Sequence, residues 1–265
     1  MASPLNVLLI GDVVGSPGRD TLKRCVPLVR DQYHIDACIA NGENAAGGFG
    51  LTAQTADEMF ANGVDFITSG NHIFDKRDFK TYLETSDRVI RPANYPPGVP
   101  GKGMGLLRTG GTTIGVLNLM GRTFMPPVDD PFRCAKSLVA DLRHETPIII
   151  LDMHAEATSE KVAMARFLDG EISAMYGTHT HVQTSDEQIL PGGTAYLTDV
   201  GMTGPTDGVI GMESDTVLDR FISGLSERFS VQKSGTKQFC AAVVSIDKDS
   251  GRAIEIKRIF QRGIA

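Results

Sequence analysis

The first seventy residues alternate between strand-like and helix-like patterns, and this alternation limits the fold more than any other feature of the sequence. Short apolar runs at residues 5–10, 36–40 and 64–68 predict buried strands, and the stretches between them have apolar residues at helical spacing. Such alternation favours parallel strands joined by crossover helices. The sequence therefore predicts an α/β fold.

The starts and ends of the two helices in this region are predicted from their flanking residues. Ser16 and Pro17 indicate the N-cap and first turn of the first helix, although Pro27 interrupts its pattern. Thr52 is predicted to cap the second helix, which ends near Gly63. Each helix thereby connects two neighbouring strands of the predicted sheet.

The rest of the chain adds further elements without an internal repeat or an interdomain linker. Strands are predicted at residues 148–152 and 172–176. The other predicted elements are helices at 132–143, from Thr158 or Ser159 to 169, and at 214–223, and hairpins within 104–119, 186–198 and 239–261. The predicted irregular loops are 92–105, 121–131 and 203–211. We expect one domain that spans residues 1–265.

The composition is that of a globular protein, since 41% of the 265 residues are hydrophobic and 22% are charged. A net charge of −6 offers no broad basic surface for long nucleic acid. The four cysteines are scattered without CxxC spacing, which indicates free thiols. The first apolar run, residues 5–10, is too short for a signal or a membrane span, so we expect a cytoplasmic protein that has no membrane association.

Polar side chains follow the ends of five predicted strands. Because open α/β sheets build their sites at the carboxyl ends of the strands, we expect these side chains to lie together. The candidates are Asp12, Glu43, Asn44, Asn71, His72, His154, His179 and His181. The pair His179 and His181 is the strongest signal, because neutral imidazole is the commonest metal ligand in proteins.

Each candidate also has an ordinary structural role open to it. Asp12 could cap the turn before the first helix, and Glu43 and Asn44 could be turn residues. His72 and His154 could be hydrogen-bonded histidines of the core. Their joint occurrence at five strand ends favours a functional site over these separate explanations.

The set of ligand candidates contains nitrogen and oxygen donors and no thiolate, which suits iron, manganese, zinc or cobalt. Seven candidates without His72 are too many for one tetrahedral ion. They suit two ions roughly 3.5–4 Å apart, which together activate water and stabilise both oxygens of a phosphoryl transfer. His72 directly follows Asn71, so we expect it near the ions, either as a proton donor to the leaving oxygen or as a cation that stabilises the charge of the transition state.

This ordered set resembles the calcineurin-like metallophosphoesterases. The superfamily signature is matched at Asp12, Glu43, Gly70-Asn71-His72, His154 and Gly177-Thr178-His179-Thr180-His181. There are two departures: Val14 stands where the superfamily has a histidine, and Glu43 stands where it has a bridging aspartate. Both departures are expected of a narrower group, the bacterial YmdB-like 2',3'-cyclic-nucleotide 2'-phosphodiesterases. The chain is similar to this group over nearly its whole length, including residues 11–15, 41–45, 154–161, 177–183 and 193–202.

The resemblance implies a fold and an arrangement of ligands. The fold is a metallophosphoesterase-type four-layer sandwich, in which two mixed β-sheets are flanked by α-helices. The ligand sets are Asp12, Glu43 and His181 for one ion, and Glu43, Asn44, Asn71, His154 and His179 for the other. Iron is the metal implied, with manganese or zinc as alternatives, and His72 is implied as the proton donor.

The leading hypothesis is a dinuclear-metal phosphodiesterase that hydrolyses 2',3'-cyclic nucleotides to 3'-nucleotides. A metal-bridging hydroxide would attack the phosphorus, and His72 would protonate the 2' oxygen. Two alternatives remain. One is a phosphomonoesterase or a broad-specificity phosphodiesterase. The other is a regulatory module that binds a nucleotide or a partner and keeps a structural metal site. A homo-oligomer is compatible with the sequence.

Overall fold

The structure is a computed structural model that describes residues 3–225 and 227–264. The remaining residues of the predicted domain 1–265 lie outside the described part. The strands are Leu5–Ile10 (β1), Asp12–Val13 (β2), Ala37–Asn41 (β3), Phe66–Thr68 (β4), Met104–Thr109 (β5), Thr112–Met120 (β6), Ile149–His154 (β7), Ala174–Thr178 (β8), Gln188–Ile189 (β9), Ala195–Leu197 (β10), Met202–Pro205 (β11), Lys237–Ile246 (β12) and Ala253–Ile264 (β13). The helices are Gly15–Tyr33 (α1), Ala53–Ala61 (α2), Phe79–Thr85 (α3), Pro131–Arg143 (α4), Thr158–Phe167 (α5) and Ser214–Ser223 (α6).

The strands form two mixed sheets. The first has the order β2-β11-β12-β1-β3-β4, with β13 paired to β12, and the second has the order β5-β6-β7-β8-β10-β9. In the first sheet β1 pairs with β3 in parallel and with β12 in antiparallel orientation. In the second sheet β6 pairs with β7 in parallel and with β5 in antiparallel orientation. The predicted parallel core is therefore present, and antiparallel strands extend it at both sheets.

Alternate residues of β1 pack into two different core layers, as the period of a strand requires. Leu5, Val7 and Leu9 pack between the two sheets, whereas Leu8 and Ile10 pack against α1 and α2 on the outer side. A third layer joins the second sheet to α4 and α5. The layers are thus helix, sheet, sheet and helix, which is the four-layer sandwich that the resemblance implied.

Several strands and helices begin or end at residues that differ from those predicted. Strands β3, β7 and β8 begin and end one or two residues later than predicted. The predicted cap at Thr52 is confirmed, because its hydroxyl accepts a hydrogen bond from the Thr55 N–H at 3.2 Å. The predicted cap at Ser16 is wrong: α1 begins at Gly15, whose N–H bonds the carbonyl of Asn44 at 2.9 Å. Helix α5 likewise has Ala157 as its N-cap, without a side-chain hydrogen bond.

The region predicted as loop 203–211 contains a short strand. Strand β11 runs parallel to the two-residue strand β2, with Met202 opposite Asp12 and Thr203 opposite Val13. Neither strand is long enough to show a periodic pattern, and helix α3 was also missed. The pairing holds the backbone of Asp12 in place, since its N–H donates to the carbonyl of Gly201 at 3.0 Å.

Two further expectations concern the whole chain. All four cysteines are free, as predicted, and three of them are buried. Among the described residues, no helix combines the length and the apolar character that spanning a bilayer would require.

Candidate metal centre

The eight predicted site residues lie at the carboxyl ends of strands from both sheets. They are Asp12 after β1, Glu43 and Asn44 after β3, Asn71 and His72 after β4, His154 at the end of β7, and His179 and His181 after β8. Hydrogen bonds and close polar contacts join all eight into one cluster. The sequence predicted one meeting point, and the structure shows that it lies where the two sheets come together.

One half of the cluster surrounds a single ring nitrogen. Nε2 of His154 lies 2.9 Å from Oδ1 of Asn71, 3.1 Å from Nδ1 of His179 and 3.2 Å from Oε1 of Glu43. One proton on this nitrogen cannot satisfy three acceptors at once. A cation can be bound by all four atoms, and oxygen and imidazole donors suit a divalent metal ion. Glu43, His154 and His179 each place one ligand atom within 4.8 Å of the others.

The orientation of His154 is fixed by a buried chain of hydrogen bonds. The Thr178 hydroxyl donates to Oδ1 of Asp152 at 2.7 Å and lies 2.9 Å from Nδ1 of His154. Because its one proton is already donated, the hydroxyl accepts the Nδ1–H of His154. Asp152 is held in turn by Thr68 at 2.5 Å and by the Asn41 amide at 3.0 Å. With Nδ1 held as a donor, Nε2 is the ring nitrogen of His154 that would bind a metal ion.

The other half of the cluster contains a buried oxygen that has no partner. Oδ1 of Asp12 accepts no hydrogen bond and lies 3.9 Å from Nε2 of His181. Nδ1 of His181 donates to the carbonyl of Ile210 at 2.9 Å, so Nε2 is the nitrogen that carries the lone pair. Nδ2 of Asn44 lies 3.1 Å from the same Nε2, close enough for its N–H to donate to that lone pair. The buried oxygen of Asp12 is left without a partner, which is costly, and a cation between Asp12 and His181 would satisfy it.

The charges of the cluster are consistent with a cation site. Burial opposes the ionisation of Glu43, but the charge of His154 lowers the pKa of Glu43 to about 2. Burial lowers the pKa of His154, but the charge of Glu43 raises it to about 9. Burial and the charge of His154 lower the pKa of His179 to about 3. The carboxylate thus holds a proton on His154 that a metal ion would replace, and His179 stays neutral.

The turn that carries both histidines has an unusual backbone. His179 has φ 96° and His181 has φ 65°, in the left-handed region that side chains other than glycine seldom adopt. The N–H of His179 donates to Oδ2 of Asp12 at 3.1 Å. Between the two histidines, the Thr180 hydroxyl donates to Oδ2 of Asp199 at 2.8 Å. Strain of this kind persists where the surroundings hold it, and it is concentrated at functional sites.

Sequence reasoning assigned no role to three acidic residues that support the ligands. Asp199 accepts hydrogen bonds from Thr180 and from Lys161 at 2.7 Å, and both partners of this ion pair are 1% exposed. Asp152 orients His154 through Thr178, as described above. Asp75 lies 2.8 Å from Nδ1 of His72. Only Asp75 had a usable signal, because an acid three residues after a histidine lies on the same side of a turn.

Val14, the position where the broader superfamily has a histidine, is fully buried in an apolar cluster with Met202 and Met212. It offers no ligand atom, as the sequence predicted. The half of the cluster around Asp12 therefore receives no ligand atom from this position.

Gly70 leaves room for two of the ligand candidates, Glu43 and His154. A Cβ atom at Gly70 would lie 2.3 Å from Oε2 of Glu43 and 2.3 Å from Nε2 of His154. We expect Gly70→Ala to displace both ligands and to lower kcat/KM by roughly 10²-fold, since a misplacement of about 1 Å can cost that much. Gly115→Ala is the matched control, because its nearest contact is a methyl of Leu142 at 3.1 Å. Assays of both variants with metal content measured would check this, and equal activities would contradict it.

The family model of YmdB-like proteins matches residues 8–259. The chain belongs to this family. A Bacillus subtilis (strain 168) protein named 2',3'-cyclic-nucleotide 2'-phosphodiesterase is 48% identical over 256 residues, which cover 97% of each chain. A solved structure of a Mycoplasma pneumoniae protein described as a novel phosphatase has a TM-score of 0.92 at 32% identity and covers 99% of this chain and 95% of that one. A hypothetical protein from Thermus thermophilus has a TM-score of 0.90 at 43% identity, and the match covers 98% of this chain and 100% of that one.

These comparisons confirm three predictions made from the sequence: the family, the metallophosphoesterase-type fold, and an enzyme of the phosphodiesterase class. Metal binding is supported at a coarser level by the cluster of Glu43, His154 and His179. The identity of the metal and the role of each individual residue stay predictions.

Proposed function

We propose that the protein is a dinuclear-metal phosphodiesterase that opens 2',3'-cyclic nucleotides at the 2' P–O bond and releases 3'-nucleotides. The observation that carries the proposal is the convergence of seven ligand candidates on one cluster, in which Nε2 of His154 faces three possible ligand atoms and Oδ1 of Asp12 has no partner. The substrate class comes from the name of the Bacillus relative, at 48% identity.

The geometry supports a division of the ligands into two groups. We assign Asn71, His154 and His179 to one ion and Asp12 and His181 to the other, with Glu43 between them. We place Asn44 with the second group, because its Nδ2 donates to Oε1 of Glu43 at 3.2 Å and lies 3.1 Å from Nε2 of His181, and we propose that its Oδ1 binds the ion. The resemblance had placed Asn44 with the group around His154. We propose iron as the metal, with manganese or zinc as alternatives that elemental analysis of the purified protein would distinguish.

Two bound cations would polarise the phosphodiester and make water a stronger nucleophile near neutral pH. The chain supplies the rest of the chemistry. His72 contributes its backbone N–H to Oε2 of Glu43 at 3.1 Å, which places the residue beside the ligands. Its Nδ1 lies 2.8 Å from Oδ2 of Asp75, and a carboxylate in that position orients the imidazole ring. We propose that His72 protonates the departing 2' oxygen and that Asp75 positions it.

His72→Ala is expected to lower kcat for 2',3'-cyclic AMP by roughly 10²–10⁴-fold, the usual contribution of a general acid. The metal content is expected to stay near that of the wild type, because the ligand candidates are intact. With an aryl phosphodiester, whose leaving group departs without a proton, the loss should be much smaller. Steady-state kinetics on both substrates would test this. Wild-type turnover of 2',3'-cyclic AMP would remove His72 from the mechanism.

The alternative functions are separated by a panel of substrates. Hydrolysis of 2',3'-cyclic AMP, 3',5'-cyclic AMP, a generic aryl phosphodiester and a phosphomonoester would be compared, with bound metal quantified in the same sample. We expect 2',3'-cyclic AMP to be preferred. A metal-loaded protein that hydrolyses none of them would favour a regulatory module. The cytoplasmic location and a homo-oligomer stay predictions of the sequence.

A further inference from the structure

A cavity of about 390 Å³ opens beside the metal-ligand candidates, and its walls differ in character. One wall is formed by site residues, including Glu43, His72 and His181. The rest of the lining forms a mostly apolar wall with Phe49, Met212, Val217, Phe221 and Phe229, and Arg220 also lines the cavity. The volume is within the range of small-molecule sites, which span roughly 300–1,000 Å³.

The proposed substrate has the same two-sided character. In a nucleoside 2',3'-cyclic phosphate the anionic phosphate lies on one side of the ribose and the aromatic base projects from the other. With the phosphate at the ligand cluster, the base has the apolar wall within its reach. We propose that Phe221 and Phe229, with Phe49 beside them, form the subsite for the nucleobase. This inference rests on the proposed substrate class.

The exposure and the ring contacts of the aromatic side chains support the assignment of the nucleobase subsite. Phe221 is 81% exposed although it lines the cavity, so its ring is available for stacking. The guanidinium carbon of Arg220 lies 5.0 Å from the ring centroid of Phe229, a cation–π contact that helps to hold this ring. The ring of Phe49 meets the ring of His72 edge to face at 5.0 Å. The apolar wall therefore reaches the proposed proton donor, as a single nucleotide spanning both would require.

Helix α6 offers a matched pair of positions for the test. Phe221 lines the cavity, whereas its neighbour Ile222 is 82% exposed and does not. Both side chains lie on the surface of the same helix, so truncation of either leaves the fold intact. A general effect of a lost apolar side chain would appear in both variants, and a lost stacking platform would appear only in the Phe221 variant.

The experiment measures KM for 2',3'-cyclic AMP and Ki for inorganic phosphate, a probe that has no base. Phe221→Ala is expected to raise KM about 5–100-fold, the range of one base–aromatic stack, with kcat within about twofold. The Ki of phosphate should be unchanged, Ile222→Ala should match the wild type in both measurements, and Phe221→Tyr should restore KM.

Three results would overturn the subsite: an unchanged KM in Phe221→Ala, an equal rise of KM in Ile222→Ala, or a parallel rise in the Ki of phosphate. Each of these results can be interpreted only if the wild-type protein hydrolyses 2',3'-cyclic AMP, because KM is measured with that substrate. If the metal-loaded wild type does not hydrolyse it while it does hydrolyse another phosphoester, the proposed function fails, and the subsite fails with it. The two kinds of failure are thus distinguishable.

Discussion

Glu43→Gln is expected to lose most of its bound metal and, with it, almost all activity. The Glu43 carboxylate lies between the two halves of the cluster, 3.2 Å from Nε2 of His154 and beside the amide of Asn44. A unit charge about 4 Å from a cation is worth about 4 kcal/mol per unit of cation charge at an effective dielectric constant of 20. Its removal should therefore lower metal affinity at least about a thousandfold.

The measurement is metal content after dialysis, together with kcat/KM for 2',3'-cyclic AMP. Glu255→Gln is a suitable control, because it removes one carboxylate from the exposed pair with Lys257 on β13. We expect this control to retain its metal and its activity. If Glu43→Gln kept two ions and wild-type kinetics, the central position of Glu43 would be ruled out.

Asp199→Ala is expected to destabilise the protein by about 3–5 kcal/mol, the cost of removing one partner from a buried ion pair. Lys161 would be left buried without its counter-charge, since Asp199 is its ion-pair partner at 2.7 Å. The same change releases the Thr180 hydroxyl, which Asp199 holds between the two histidines. Activity should therefore fall as well, even in the fraction that stays folded. The free energy of unfolding in urea is the direct measurement.

The double variant Lys161→Met/Asp199→Leu separates these two effects. When both partners become apolar and keep a similar volume, the loss of a buried ion pair is often close to neutral. We expect only part of the stability to return, because leucine is larger than aspartate and the N–H of Gly201, which donates to Oδ1 of Asp199 at 2.8 Å, loses its acceptor. The activity should not return, because Thr180 still lacks its acceptor. A single Asp199→Ala variant that is as stable as the wild type would show that the pair does not carry the stability assigned to it.

The positions of the ligand candidates stand out in the sequence because they follow short apolar runs, and the structure brings them together. His154 and the pair His179 and His181 stand where a strand pattern ends, so local chemistry alone marks them. The supporting residues carry no such mark. Asp152 is 111 residues from Asn41 and Asp199 is 38 residues from Lys161, and only the packed chain shows that these partners meet.

The fold was predictable to a similar degree. Long elements with a clear period, such as β1 and the hairpin of β12 and β13, were found with nearly correct ends. The two-residue strand β2 and its partner β11 were missed, because pairs this short are stabilised by neighbours and not by their own pattern. The face-to-face packing of two sheets came from the resemblance, since alternation alone indicates a parallel sheet without saying how many sheets there are.

The ligands belong to two sheets, and nothing in either sheet alone fixes the distance between them. That distance depends on how the apolar side chains at the interface interlock, among them Leu9, Ile39 and Tyr176. A substitution there that changes the tilt of one sheet by a few degrees would alter the distances within the proposed metal centre without changing any ligand candidate. The packing of the apolar interior would in this way influence the reactivity of the proposed centre.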